Sequence, residues 1–140
     1  MKHNIKTLFG ITAPLVVATL ILLTSFSITP VKSMLSGPKI VFDKLIHDYG
    51  TIPRRSDGTS HFRFTNRGNA PLLITGVKAA CGCTVPSYTE APVLPGQSGT
   101  IKVEYNTRIR GEFTKTIIVS TNDPNNATVT LTVKGNVLRR

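Results

Sequence analysis

Apolar and polar residues alternate through most of the sequence after residue 39. In the stretch TSHFRFTN, Phe62 and Phe64 fall on one side of an extended chain, while His61 and Arg63 fall on the other. A period of two is the pattern of a β-strand with one buried face. The same alternation recurs in the later stretches TIKVEYN and ATVTLTVKGNV. No segment after residue 39 shows helical periodicity over three turns, so the pattern predicts an all-β domain.

Residues that favour turns divide this region into about seven short strands, the first of which is expected in KIVF. Glycine, proline and asparagine cluster between the alternating stretches, as in NRGNAP and NDPNN. About seven strands in roughly 100 residues are typical of an immunoglobulin-like β-sandwich, and a small barrel is the alternative. The chain has no tryptophan, so the Cys–Trp–Cys arrangement of antibody domains is absent and the core must hold by packing alone. The expected core consists of Phe62, Phe64, Leu72, Ile74, Val77, Ile101, Val103, Tyr105, Phe113, Ile117, Val119, Val129, Leu131 and Val133.

Three segments carry more specific expectations. LLITGVK is mostly apolar, which indicates a strand buried near the centre of a sheet. The segment from Pro86 to Gly99 is rich in proline and is expected to be irregular throughout. TVTLTVKGNV is regular and rich in threonine, and we expect it to be an edge strand open to a partner.

The N-terminus indicates export. Lys2 and Lys6 precede 25 residues without charge, and the next charged residue is Lys32. A basic start followed by an apolar run is the layout of a secretory signal peptide, although the run is also long enough to serve as an uncleaved membrane anchor. We therefore expect a signal peptide or anchor at residues 1–27, a linker at 28–38 and the β-sandwich at 39–140. The predicted location is the periplasm or cell envelope.

The chain is strongly basic, with 17 Lys and Arg against 7 Asp and Glu and a net charge of +10. The basic residues are spread among turns and alternating strand positions, and no basic helix or basic–aromatic cluster is visible. This distribution argues against nucleic acid as a partner. It is typical of a solvated surface, or of attraction to an anionic partner such as phospholipid headgroups or an acidic protein.

The sequence offers no arrangement typical of an active site. His61 is expected on an outer strand face, and His47 and Asp48 at a strand end or turn, with Asp48 bonded to the local backbone ahead of Gly50. The glutamates show no paired spacing, and the chain has no glycine-rich loop that opens a helix. We therefore expect no catalytic residues, no cofactor and no small-molecule substrate.

Several motifs together resemble a known bacterial family. They are DYGTI at Asp48–Ile52, FRFTN at Phe62–Asn66, Gly68-Asn69, the block CGCTVP, and LPG at Leu94–Gly96. This combination is similar to the family of unknown function DUF1573, over about Phe42 to Val137. The resemblance implies a secreted or envelope-exposed domain with an immunoglobulin-like fold of the sperm-protein type. It implies no activity.

Cys81 and Cys83 are the only cysteines of the chain and form the one candidate site. In an extended strand their Cα atoms would lie roughly 6.6 Å apart, at the outer limit for a disulfide, unless Gly82 pinches the backbone. The alternatives are a labile local or intermolecular disulfide, a soft-metal site for an ion such as Cu(I), with Lys78 favouring thiolate, and simple packing as small apolar residues. Of the first two, we prefer the disulfide because no histidine lies near the pair.

These observations predict a non-catalytic binding or structural module of the cell envelope that acts through protein contact. Its partners are expected to be envelope proteins, with an anionic membrane surface as a further candidate. The alternative function is thiol-redox or soft-metal chemistry at Cys81 and Cys83.

Overall fold

The computed structural model describes residues 36–139, apart from the side chain of Val85. The predicted signal or anchor at residues 1–27 and most of the predicted linker lie outside the described residues. The described part of the chain forms eight β-strands and no helix. In chain order they are β1 (Ile40–Phe42), β2 (Ile46–Ile52), β3 (Thr59–Asn66), β4 (Ile74–Ala79), β5 (Thr84–Tyr88), β6 (Ser98–Tyr105), β7 (Gly111–Thr121) and β8 (Thr128–Val137).

The strands form two four-stranded sheets. The first has the order β1-β3-β6-β5 and the second the order β2-β8-β7-β4. All pairs are antiparallel except β2 with β8, which run parallel. Each sheet keeps two open edges, so the chain is a β-sandwich and not the small barrel that was the alternative.

The core lies between the two sheets, where the alternating pattern predicts it. In β3, Phe62 and Phe64 are fully buried while His61 and Arg63 are exposed. Twelve of the fourteen expected core residues are buried, and the other two, Val77 and Val129, are partly buried against the same cluster. Ile40, Val93 and Val137 also belong to the core. Burial of a large apolar side chain stabilises the fold by roughly 1.5–3 kcal/mol, which explains why the period-two pattern determines which face turns inward.

Three strand expectations were wrong. The segment after Pro86 is not irregular throughout: β5 includes Pro86 and pairs with β6, as proline can on an edge strand, and this strand raises the total from about seven to eight. The stretch LLITGVK is not central, because β4 is an edge strand and Leu73 is 38% exposed. The stretch TVTLTVKGNV is not an edge, because β8 lies between β2 and β7.

Two fully buried polar side chains form hydrogen bonds with the loops at the end of the sandwich where β1 begins. The Oδ1 atom of Asn66 accepts hydrogen bonds from the backbone N–H groups of Lys39 and Gly68. Asp123 accepts from the N–H groups of Ile40 and Asn125, at 2.9 and 2.8 Å. The family-like motifs FRFTN and Gly68-Asn69 therefore have a structural role at this end.

Within residues 36–139, the structure has no helix of the length and apolarity required to cross a membrane.

Candidate functional site

Cys81 and Cys83 form a disulfide with each other in the turn that joins β4 to β5. The turn is closed by a hydrogen bond from the N–H group of Thr84 to the carbonyl of Cys81. The two Cα atoms lie 5.4 Å apart, within the ordinary range for a disulfide. The extended geometry assumed from the sequence does not apply, because both cysteines lie in a turn and not in a strand.

The two sulfur atoms have different surroundings, although both residues are partly exposed. Cys83 packs against the hydrophobic core, and its Sγ atom lies 4.0 Å from the hydroxyl of Thr84. It also lines a shallow depression of about 280 Å³, together with Gly82, Glu104, Tyr105 and Asn106. Cys81 is not among the residues that pack against the core.

In the disulfide form neither sulfur is available as a thiolate ligand. Cu(I) binding therefore stays a prediction for the reduced form only. Across the described residues, no group of three or more histidine, cysteine, aspartate and glutamate side chains is placed to hold a metal ion.

Asn106 connects the disulfide turn to a neighbouring loop. Its N–H group donates to the carbonyl of Cys83 at 2.9 Å. Its side-chain oxygen accepts from the N–H group of Arg108, and its carbonyl accepts from the N–H group of Ile109, both at 3.1 Å. One residue thus supports both the cysteine turn and the turn that carries Arg108.

Two loops meet at this end of the sandwich. The N–H group of Arg55 donates to the carbonyl of Thr107 at 3.1 Å, and the Thr107 hydroxyl donates to the carbonyl of Ser56 at 2.6 Å. Thr107 is buried, with 5% of its surface exposed. The contact between residues 53–58 and 106–110 is therefore built into the fold.

The two loops bring four arginines together: Arg54, Arg55, Arg108 and Arg110. We call this surface the arginine end. The Nε atom of Arg54 lies 3.4 Å from the carbonyl oxygen of Arg108. The pKa of Arg54 is lowered by the charge of Arg110 first, then by burial and by the charges of Arg55 and Arg108. Neither ion pair found among the described residues involves these arginines, since the pairs are Lys102–Glu104 and Lys134–Asp48.

The sequence interpretation missed this cluster and treated the basic residues as evenly spread. Arg54 and Arg55 lie more than fifty positions before Arg108 and Arg110. They meet because β3 and β6 are antiparallel neighbours, with Thr59 opposite Glu104. The loop before β3 and the loop after β6 must then lie side by side. The pairing of these two strands was the signal that could have revealed the cluster.

Apolar side chains accompany the arginines. Ile109 lies between Arg108 and Arg110 and is 45% exposed. Leu138 is also 45% exposed, and its N–H group donates to the carbonyl of Ile52, just before the first arginine loop. Guanidinium groups beside exposed aliphatic side chains are a composition that suits contact with another macromolecule.

The other polar residues considered in the sequence lie in strands β2 and β3. His61 is exposed on the outer face of β3, as expected. Asp48 accepts a hydrogen bond from the N–H group of Gly50 at 2.8 Å, as expected, and pairs with Lys134 at 3.3 Å. These two contacts lower the pKa of Asp48, the backbone bond most. His47 lies in β2, where burial first and the Lys44 charge second lower the pKa of its imidazole.

A second depression, of about 330 Å³, lies on the outer face around Asp48, Glu112 and Lys134. Its aspartate is already paired with its lysine. The structure brings these two groups together through the β2–β8 pairing, which places Asp48 opposite Lys134. The depression has no further charged group besides Glu112.

Two packed four-stranded sheets, with the orders β1-β3-β6-β5 and β2-β8-β7-β4, define an immunoglobulin-like or PapD-like sandwich domain. Within that class, the chain belongs to the family described as "Protein of unknown function (DUF1573)", which it matches over residues 40–137. The resemblance seen in the sequence is thereby confirmed. No curated protein matches the chain.

Solved structures show the same fold at low sequence identity. The protein of unknown function from Porphyromonas gingivalis W83 is 15% identical with a TM-score of 0.65, over 71% of this chain and 47% of that one. The secreted serine protease VesC from Vibrio cholerae is 16% identical with a TM-score of 0.52, over 76% and 24%. The ASH/PapD-like domain 7 of human CEP192 is 14% identical with a TM-score of 0.56, over 84% and 96%. The chain thus spans less than half of the first two proteins and nearly all of the third.

Proposed function

We propose that this protein is a non-catalytic module of the cell envelope that binds another protein through the arginine end. The partner surface is acidic and carries apolar side chains that meet Ile109 and Leu138. The observation that carries the proposal is the convergence of four arginines on two hydrogen-bonded loops, with no carboxylate paired to them among the described residues.

Charge repulsion is the physical reason to expect a partner there. Like charges held close to one another repel, and the charge of Arg110 is the first cause that lowers the pKa of Arg54. The bond between Thr107 and Ser56 nevertheless keeps the loops together. Carboxylates from a partner would neutralise the repulsion, and arginine binds carboxylates in a bidentate manner with high geometric specificity.

The sheet edges support a partner less well, because each one is obstructed in a way that discourages strand addition. The first strand, β1, has only three residues, and β5 contains Pro86. Register irregularities interrupt β2 between Asp48 and Thr51 and β4 between Ile74 and Gly76. The expected edge strand, β8, is covered by β2. Contact through an end loop is therefore favoured over contact through an edge.

The location in the envelope is supported by the N-terminal sequence, in which a basic start precedes 25 uncharged residues. The chain enters the sandwich at the end away from the arginines, where Gly37 lies near Pro124. Strands of eight to ten residues separate the two ends, which corresponds to roughly 25–35 Å at about 3.3 Å per residue. The arginine end therefore lies at the opposite end of the described domain from residue 37, where the chain enters it.

Two double variants, each of which removes two arginines, test the proposal. The full-length chain and two double variants are immobilised and exposed to solubilised envelope proteins. Arg108→Ala/Arg110→Ala removes two charges from the arginine end, and Arg63→Ala/Arg67→Ala removes two charges from exposed positions elsewhere. We expect the first variant to lose a retained protein that the parent and the control both keep, and the parent's retention to weaken with added salt.

Vesicles provide the second arm of the experiment. Binding of the parent to phosphatidylglycerol vesicles but not to phosphatidylcholine vesicles, lost in Arg108→Ala/Arg110→Ala but kept in Arg63→Ala/Arg67→Ala and with no retained protein, would assign the arginine end to an anionic membrane surface. Retention that is unchanged in the Arg108→Ala/Arg110→Ala variant would contradict the arginine end as the contact surface.

A further inference from the structure

We propose that the Cys81–Cys83 disulfide is a thiol–disulfide exchange site, attacked at Cys81 and released at Cys83, for a partner that carries a dithiol. This inference does not depend on the proposed binding function. It rests on the position of the disulfide in the turn between β4 and β5, on the open space outside that turn and on the unequal surroundings of the two sulfur atoms.

The disulfide is accessible from outside the turn. Both cysteines are partly exposed. A Cβ atom added to Gly82, which lies between them, would have no heavy atom within 4 Å apart from its chain neighbours. A thiolate can therefore reach the bond without displacement of another element, which is a requirement for exchange.

The fold around the turn has its own hydrogen bonds and does not depend on the disulfide. β4 pairs with β7 and β5 pairs with β6. At the borders of the turn, Ala80 donates to the carbonyl of Thr116 at 3.1 Å, and Asn106 donates to the carbonyl of Cys83 at 2.9 Å. Reduction therefore leaves both ends of the turn in place, so the two sulfurs stay close enough to form the disulfide again.

The surroundings of the two sulfurs direct the attack to Cys81. A thiolate approaches a disulfide along the S–S axis, on the far side of the sulfur that it attacks. Cys83 is packed against the hydrophobic core, and this packing hinders an approach to its sulfur. Cys81 is not among the described residues that pack against the core.

Attack at Cys81 makes Cys83 the leaving group. The Sγ atom of Cys83 lies 4.0 Å from the hydroxyl of Thr84, which can donate a hydrogen bond to the departing thiolate.

The exchange takes place in two balanced steps. A thiolate of the partner forms a bond to the Cys81 sulfur, the Cys81–Cys83 bond breaks, and its electron pair leaves with Cys83 as a thiolate. The second thiol of the partner then loses its proton and attacks the partner's sulfur in the mixed disulfide. This attack releases Cys81 as a thiolate. The pair has gained two electrons, the partner dithiol has become a disulfide, and the two protons lost by the partner are available to the new thiols.

The experiment uses single cysteine variants of the full-length chain and glutathione disulfide as the probe. Cys83→Ser leaves the Cys81 thiol, and Cys81→Ser leaves the Cys83 thiol. Each variant is mixed with glutathione disulfide, and the rate at which the mixed disulfide forms is followed by intact mass. We expect Cys81 to form the adduct at least about tenfold faster in the folded chain, because of its better access. The same comparison in denaturant should give rates that differ by less than about twofold, since unfolding removes the difference in access.

A second measurement tests the parent protein directly. The folded parent is titrated with dithiothreitol and the thiols are alkylated, and we expect both cysteines to be reduced together without loss of the folded state. A parent disulfide that opens only in denaturant would overturn the exchange site. Equal rates for the two folded single variants would overturn the assignment of attack to Cys81.

Discussion

The backbone N–H group of Asn106 donates a 2.9 Å hydrogen bond to the carbonyl of Cys83. Through this bond, the only disulfide among the described residues is connected to the loop that carries Arg108 and Arg110. Both features lie at the end of the sandwich away from the buried Asn66 and Asp123. The first end is held by the buried side chains of Asn66 and Asp123, whereas the second combines the buried Thr107 with the arginines and the disulfide.

The arrangement of the core predicts effects of very different size for substitutions at two adjacent residues of β3. Phe64→Ala should lower the free energy of unfolding by about 3–5 kcal/mol. Its ring is fully buried, contacts Phe42 and covers Gly99 so closely that an added Cβ there would clash. Arg63→Ala should change stability by less than about 0.5 kcal/mol, because the side chain is exposed. Denaturant melts of both variants provide the measurement, and equal effects would contradict the assigned faces of β3.

The buried carboxylate predicts a dependence of stability on pH. Burial raises the pKa of Asp123, but hydrogen bonds from Asn126, Ile40 and Asn125 outweigh it, so the pKa lies below its ordinary value. A lowered folded-state pKa means that the contribution to stability is complete above the unfolded-state pKa, near 4. It is lost as the pH falls through the folded-state pKa.

Asp123→Asn should therefore destabilise the protein at pH 7 by about 1–3 kcal/mol, because it weakens these hydrogen bonds. Melts at decreasing pH should show the difference between parent and variant becoming smaller below about pH 4. Glu90→Gln, at an exposed position, serves as the control with no such convergence. A difference that stays constant on acidification would show that Asp123 is not held as a carboxylate.

The disulfide is predicted to contribute little to stability. A bond between residues two positions apart closes a very short loop, and the chain-entropy estimate for such a loop is about 1–2 kcal/mol. The Cys81→Ser/Cys83→Ser double variant should therefore fold, with a loss of at most that size in a denaturant melt. A variant that fails to fold would assign the pair to the core and not to a site.

Export is a separate prediction that follows from the N-terminal sequence. A reporter enzyme that is active only outside the cytoplasm, fused after Arg140, should be active. A fusion of the mature sequence from residue 28 onward is the control and should be inactive. Silence of an intact and abundant full-length fusion would contradict the predicted location.

The alternation of residue types was sufficient to predict the sandwich and most of its core. Packing of Phe62, Phe64 and their counterparts determines the fold locally, and local patterns are visible in a sequence. The identity of the strands that become neighbours in a sheet is not visible in a local pattern. The parallel pairing of β2 with β8 that covers the expected edge depends on contacts between residues some 86 positions apart, such as Ile46 and Thr132. Pro86 suggested irregular structure because the sequence does not tell an edge strand from a loop.

The same contrast between local and long-range features applies to the candidate site. Cys81 and Cys83 were identified because a pair of cysteines one residue apart is itself a local signal. The arginine end was missed because it forms only when β3 pairs with β6 and places Arg55 next to Thr107. Charge counted along the chain showed an excess of basic residues and did not show where that excess is concentrated.

Photo-crosslinking in living cells tests the central claim, contact with a protein through the arginine end, most directly. A photoreactive phenylalanine derivative replaces Ile109 in one variant and His61, an exposed residue on the outer face of β3, in the other. We predict a crosslinked protein from position 109 that is absent from position 61. This product should disappear when Arg108→Ala and Arg110→Ala are added. Crosslinks from position 61 with none from position 109 would contradict the account.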